Sequence, residues 1–334
     1  MRKKLHKILV TGGAGFIGSE FVRQGAAKGY RLVVVDKLTY AGDLARLKDA
    51  RGKFDFIRAD ICRAESLDAI FKKERPVSVV HFAAESHVDR SIHNAAPFIE
   101  ANVAGTQILL DISRKYGVKR FVHISTDEVY GDIEKGCFTE NSPIAPNSPY
   151  AASKAASDLL VKAYCRTHGF PALIARASNN YGPWQYPEKL IPVVILKALK
   201  DQKVPVYARG QNIREWLYVS DCAEAVFLIL ESGKLGEVYN IGSGYEKKNI
   251  DTVKRLLGLL GKPNGLISYV KDRPGHDLRY CLDCSKLRSL GWKPRIDFET
   301  GTALTVEWNK RHLYWLESKL EALTVYWKKV YRNG

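Results

Sequence analysis

Six short runs of aliphatic and β-branched residues, each followed by a stretch of different pattern, set the strictest limit on how this chain can fold. They are Lys7–Val10, Arg31–Asp36, Phe54–Arg58, Val77–Phe82, Arg120–Ser125 and Ala172–Arg176. Continuously apolar runs separated by helical segments read as strands of a parallel sheet covered on both faces. Right-handed crossovers then place successive helices on alternate faces, which predicts an α/β fold with a doubly wound sheet. After about residue 180 the rhythm breaks. Tyr181–Pro187 is rich in turn formers, Leu190–Leu199 reads as a helix, and prolines stand at 205, 263, 274 and 294. At 334 residues the chain has room for two domains. The expected division is 1–180 for a cofactor-binding domain that also carries the catalytic residues. Residues 181–334 form a smaller α/β domain, mainly for substrate, with some segments returning to the first.

Composition removes several classes. The apolar fraction of 46% and charged fraction of 26% sit near the globular average, so disorder, collagen and a disulfide scaffold are excluded. No run is long and apolar enough to span a membrane. The basic start Met1–Lys4 is followed by too short an apolar run for a signal peptide, so a cytoplasmic protein with six free thiols is expected. The net charge of +16 is spread along the chain without a basic tract, which argues against nucleic acid. A basic surface, or a field drawing an anionic small molecule, is the better reading. Cys281-x-x-Cys284 has no second pair to complete a zinc site and reads as two structural thiols, so no metal is expected. The aromatic and basic Trp308–Tyr331 stretch reads as a packed amphipathic helix rather than a membrane anchor.

Gly12, Gly15 and Gly18, with Phe16 and Ile17 between the last two, follow the first strand and open a helix. Such glycines permit a tight turn and let the backbone approach a pyrophosphate, the mark of a Rossmann-type fold. The second strand ends at Asp36, whose carboxylate suits an adenosine ribose and repels a 2′-phosphate, so NAD rather than NADP is expected. Lys37, Leu38 and Thr39 continue that wall. Asp60-Ile61 follows the third strand and either contacts the adenine or caps a helix. Phe82-Ala83-Ala84 follows the fourth, where small residues let the backbone lie along the cofactor.

Two further segments carry chemistry. Thr126-Asp127-Glu128 closes the fifth strand, and Tyr150-Ala-Ala-Ser-Lys154 begins a helix. Tyrosine and lysine at i and i+4 share one helix face, and an ammonium beside a phenol lowers the phenol's pKa toward neutrality. Adjacent carboxylates repel, so one of Asp127 and Glu128 is expected to keep its proton while the other serves as base.

With the glycine turn and Tyr-x-x-x-Lys, the chain resembles the extended short-chain dehydrogenase/reductase superfamily. Within it the chain is most similar to the nucleotide-sugar 4,6-dehydratases. The resemblance rests on Leu38–Gly42, Ala84–Arg90, Thr126–Glu128, Ser178–Pro183, Pro187–Leu190, Asn212–Trp216 and Asp272–Asp277. Ala101, Arg209, Glu215 and Leu278 depart from the usual pattern. What the resemblance implies is a hydro-lyase that uses NAD to convert dTDP-glucose or UDP-glucose to a 4-keto-6-deoxy sugar nucleotide. The alternatives are a related epimerase or decarboxylase, or a non-catalytic NAD-binding scaffold. It adds Ser86, Ala101 and Asn180 to the cofactor side, together with Tyr150 and Lys154. The substrate side would comprise Ser86, Thr126, Asn179, Glu188, Lys189 and Leu190, then Pro205, Tyr207, Arg214, Asn249, Arg273 and His276. Helices near Val103–Tyr116 and Ala151–Thr167 match those that form a homodimer interface in the superfamily.

Overall fold

A computed structural model describes residues 7–320 and 323–324; Met1–Lys4 and Trp327, considered above, lie outside the described residues. The six expected strands form as β1 (Lys7–Thr11), β2 (Arg31–Asp36), β3 (Phe54–Arg58), β4 (Ser78–His81), β5 (Arg120–Thr126) and β6 (Ala172–Ala177). Six further strands follow: β7 (Asn179–Tyr181), β8 (Val204–Tyr207), β9 (Ile213–Tyr218), β10 (Val238–Ile241), β11 (Glu246–Lys248) and β12 (Ile267–Val270). The main sheet has seven strands in the order β10-β6-β5-β4-β1-β2-β3, and every pairing in it is parallel. The strand order reverses between β1 and β4, which opens a crevice beyond their C-terminal ends.

Helices cover both faces, as continuously apolar strands require. On one face Phe16–Ala27 and Val219–Ser232 meet through Phe21 and Phe227, whose stacked rings lie 3.9 Å apart. Burying such a ring stabilises the fold by about 1.5–3 kcal/mol. On the other face Ala64–Glu74, Gly105–Lys115 and Pro149–His168 pack over Leu9, Val33, Val79 and Phe121. Helix Pro149–His168 starts where its sequence requires: Ser148 Oγ accepts from the Ala151 N–H at 3.1 Å, and Pro149 takes the first turn. A second layer holds a three-stranded sheet, β11-β9-β7, and a parallel pair, β12-β8, around Tyr181, Trp216, Tyr218 and Phe298.

One cysteine expectation is corrected. Cys137 and Cys281 form a disulfide across 144 residues, with their Cα atoms 4.6 Å apart. Backbone pairing brings them together: the Phe138 N–H donates to the Cys281 carbonyl and the Asp283 N–H to the Phe138 carbonyl, both at 2.8 Å. Cys62, Cys165, Cys222 and Cys284 are free. Toward the C-terminus, Trp308 and Trp315 pack around Trp184. Among the described residues no helix is long and apolar enough to cross a membrane, and no cluster of side chains suits a metal ion.

Candidate active site

The crevice between β1 and β4 is lined by Gly12, Gly15, Asp36, Lys37, Thr39, Asp60 and Ile61 on one side. Phe82, Ala83, Ala84 and Ala101 line the other. Gly12 adopts φ +67°, and a Cβ there would stand 2.5 Å from the Ala83 nitrogen. Any side chain there would strike the backbone of Phe82 and Ala83, so glycine lets the turn pack directly against the segment after β4 at the head of the crevice. Asp36 accepts the Ala14 N–H at 3.0 Å and the Leu38 N–H at 2.8 Å, one on each carboxylate oxygen. Each oxygen keeps a lone pair for a ribose hydroxyl. Lys37 Nζ lies 3.5 Å from Asp60 Oδ2, so its charge is directed at Asp60. Asp60 Oδ1 accepts the Cys62 N–H at 3.0 Å; the following helix is preceded by Arg63, so Asp60 braces a turn and caps no helix.

Several residues expected at the cofactor stand elsewhere. Phe16, Ile17 and Gly18 form the first turn of helix Phe16–Ala27 and do not line the crevice. Gly18 is required there by packing, since a Cβ would meet the Gly12 carbonyl at 2.3 Å. Leu38 packs against the main core at φ +58°. Asn180 turns to Ser178, whose carbonyl accepts its Nδ2 at 3.0 Å, and Ser86 is exposed with its carbonyl accepting Lys189 Nζ at 2.8 Å. Sequence reading missed Ala41, Gly42 and Glu85, which line the crevice.

Thr126, the last residue of β5, caps a short 3-10 turn, Asp127–Tyr130. Its hydroxyl donates to Asp127 Oδ1 at 3.1 Å and accepts the Glu128 N–H at 3.3 Å. Asp127 is buried, and its other oxygen has no hydrogen-bond partner among the described residues. Burial first, then the charges of Glu128 and Glu215, push its carboxyl well above the usual range. Burial also raises Glu128, but Arg273, Lys189 and Arg214 oppose the shift. The pair therefore divides into a proton-holding acid and a carboxylate that cations favour in its charged form.

Tyr150 and Lys154 share the helix face above β5, with one correction. The Lys154 ammonium donates to the Ile124 carbonyl at 2.7 Å, with His123 Nε2 at 3.5 Å. It points into the sheet, and burial lowers its pKa to about 8. The Tyr150 phenol is accordingly not lowered. Burial and the neighbouring Glu128 raise it, and the nearby Thr126 hydroxyl acts the other way.

Across the crevice stands a cationic wall. Arg214 lies 4.4 Å over the Tyr280 ring and donates Nη2 to the Asp277 carbonyl at 2.9 Å. Arg273 Nη1 donates to Asp89 Oδ1 at 2.7 Å, while its buried Nε has no acceptor. Tyr207 OH reaches Asp89 Oδ2 at 3.5 Å, and His276 Nδ1 is 2.6 Å from Asp272 Oδ1. Asn179 and Asn249 each hold a buried, unpartnered side-chain oxygen. Pro205 lies in β8 beside Tyr207. Glu188 is turned away from this wall: it accepts Tyr40 OH at 3.1 Å and Arg90 Nε at 3.2 Å, tying the segment before the Leu190–Leu199 helix to the loop after β2. Leu190 opens that helix and packs into the second layer. Asp89, Asp277 and Tyr280 were missed as site residues; their motifs were legible, but their pairing with Arg273 and Arg214 is tertiary.

The family model described as GDP-mannose 4,6 dehydratase matches residues 9–305. A dTDP-glucose 4,6-dehydratase of Streptomyces niveus is 49% identical over 321 residues, 93% of this chain and 95% of the relative. Another from Shigella flexneri is 49% identical over 342 residues, 93% and 95%. Among solved structures, the Streptomyces venezuelae dTDP-glucose 4,6-dehydratase DesIV, with NAD and TYD bound, superposes with a TM-score of 0.91 at 48% identity. That match covers 94% of this chain and 99% of DesIV. The Thermus thermophilus UDP-glucose 4-epimerase in complex with NAD is more distant, at TM-score 0.86 and 33% identity, covering 91% and 99%.

Proposed function

Because the chain belongs to the GDP-mannose 4,6-dehydratase family, we propose that it removes water from dTDP-glucose to give the 4-keto-6-deoxy sugar nucleotide. The observation that carries this is the divided pair Asp127 and Glu128, since oxidation and re-reduction of a single carbon calls for no such acid and base. NAD would be held by Gly12, Gly15, Asp36 and the Phe82–Ala84 segment, and when bound it would supply hydride-transfer chemistry between C4 and C6. Tyr150, near the Thr126 hydroxyl, takes the proton of the C4 hydroxyl as that carbon is oxidised. The phenolate that accepts this proton must first form by loss of the Tyr150 proton, and Lys154, on the same helix face, is the cation that would stabilise it on leaving the Ile124 carbonyl. The C4 ketone acidifies the C5 proton, which Glu128 removes while Asp127 protonates the departing C6 hydroxyl. Glu128 then returns the proton to C5. Arg214 and Arg273, with Lys189, Asn179 and Asn249, hold the diphosphate and nucleoside.

On this reading residues 1–180 bind cofactor and carry the chemistry, and 181–334 mainly bind substrate, with β10 and helix Val219–Ser232 serving the main sheet. We place the enzyme in the cytoplasm, a compartment its four free thiols suit and to which the Cys137–Cys281 bond is the exception. It acts as a C2 homodimer through the helices Gly105–Lys115 and Pro149–His168, near which Ile99 and Leu159 are more than half exposed. Light scattering should return twice the chain mass, and a monomer at micromolar concentration would refute the dimer.

The decisive experiment incubates the protein with dTDP-glucose and follows the alkaline absorbance of the keto-sugar, with UDP-glucose as a second arm. Turnover of dTDP-glucose is expected; no product from either overturns the assignment. Combining Asp127→Asn with Glu128→Gln should cut product formation at least about 100-fold. The variant should still oxidise C4, seen as rising absorbance of reduced cofactor. Product at the normal rate would remove both carboxylates from the mechanism.

A further inference from the structure

The C-terminal segment, helix Leu313–Glu317 and the turn Ser318–Lys319 after it, lies outside the crevice, yet its polar atoms end on the residues that hold the glycine turn. Trp315 Nε1 and Lys319 Nζ both donate to Asp43 Oδ2, at 2.8 and 2.7 Å. The Asp43 backbone N–H donates in turn to the Ala14 carbonyl at 3.0 Å, in the middle of the turn. Asp43 Oδ1 caps the 3-10 segment Leu44–Ala50. From that segment Arg46, almost wholly buried, donates Nη1 to the same Ala14 carbonyl at 2.9 Å and to the carbonyl of Ala41, which lines the crevice. The guanidinium lies 5.3 Å over the Trp315 ring, and its Nε bonds the Trp184 carbonyl at 3.1 Å. On the other side of the turn, the Ala14 N–H is held by Asp36.

We propose that the C-terminal segment is a brace for the cofactor cleft, with Trp315 and Lys319 as positioning residues that act through Asp43 and Arg46 on Gly12–Gly15. The inference rests on the NAD reading above. Its physical basis is preorganisation: a turn built from glycines loses much conformational freedom when it clamps a ligand, and fixing it beforehand removes that cost from binding. Ala14 has no polar side chain of its own, so its carbonyl is fixed only from outside the turn. The brace therefore serves retention of the cofactor between turnovers and leaves the reacting carbons untouched.

Two substitutions in the full chain isolate it. Trp315→Phe keeps the ring and loses the donor; Lys319→Met keeps the stem and loses the charge. Each should weaken NAD binding about three- to tenfold, the range of one ordinary hydrogen bond, because only part of a charged bond's effect reaches the turn. At saturating NAD, kcat and the KM for dTDP-glucose should stay within about twofold, and Lys319→Arg should restore affinity. Amide hydrogen exchange of residues 12–18 in the NAD-free protein should quicken in both variants. Unchanged NAD affinity and exchange in the double variant would overturn the brace. So would a parallel loss of NAD affinity, kcat and thermal stability, the pattern of general damage. A wild-type protein that binds no NAD would overturn the cofactor reading instead, and the exchange measurement would still decide whether the brace exists.

Discussion

Lys154 is a cation placed where cations are unfavourable. Its pKa of about 8 lies below the ordinary 10.5, because burial penalises the ammonium more than Asp158 stabilises it. The folded pKa is depressed, so the penalty is fully present below about pH 8 and fades as pH rises toward 10.5. Its size is about 3 kcal/mol, less whatever the bond to the Ile124 carbonyl returns. Lys154→Met should therefore stabilise the protein by about 1–2 kcal/mol at pH 7 while abolishing turnover. Urea unfolding at pH 7 and pH 10 checks this: the gain should shrink at the higher pH, and a variant less stable than wild type at pH 7 would contradict it. The sequence made the identities of Thr126, Asp127, Glu128, Tyr150 and Lys154 legible, since each sits at a strand end or on a helix face that spacing reveals. It could not give the phenol's environment. Which way the ammonium of Lys154 turns is decided by the Ile124 carbonyl and His123, on a strand 30 residues earlier.

At the level of elements, most of β1 to β6 were legible because a strand covered on both faces is apolar along its length; the edge strand β3, with Asp55 exposed, was legible from its aromatic and aliphatic residues instead. β7, β8, β9, β11 and β12 are three to six residues long, mostly mixed in polarity, and their pairing depends on the second layer around them, while β10 joins the main sheet beside β6. The turn after β8 illustrates how far a local signal reaches. Ala208 and Arg209 stand at φ +46° and +52°, left-handed values that residues with a Cβ adopt at a cost of about 1–2 kcal/mol each. Arg209 occupies a position where the resemblance leads one to expect glycine or aspartate, and its backbone explains that expectation. Because Arg209 is exposed, Arg209→Gly removes the strain and loses little contact. A net gain of about 0.5–1 kcal/mol is expected after the greater unfolded-state entropy of glycine is counted. Denaturant midpoints of the two proteins check it, and an unchanged or lower midpoint would show that the turn carries no such strain.

Across the whole molecule, the Cys137–Cys281 bond joins the loop between Glu128 and Tyr150 to the segment that follows Tyr280, so it ties the chemistry to the cationic wall. Nothing in the spacing of six cysteines announces a link of 144 residues. Closing a loop of that size stabilises the folded state by up to about 5 kcal/mol in the chain-entropy account, and measured bonds usually give less. Because Cys137 is exposed, dithiothreitol should reach the bond and lower stability by about 2–4 kcal/mol, while Cys137→Ser should show no response to the reagent. Equal urea midpoints with and without reductant in the native protein would contradict this. The return of β10 to the edge of the main sheet reaches furthest. β6 ends at Ala177, but its outer neighbour begins only at Val238, after β7, β8 and β9 of the second layer have been made. A ribosome therefore holds a nascent chain whose β6 is an open edge for some sixty residues of synthesis. Over that interval the row of unpaired N–H and C=O groups on β6 can add a strand from another nascent chain. Translation pauses or premature stops between residues 182 and 237 are thus the events most prone to aggregate this protein.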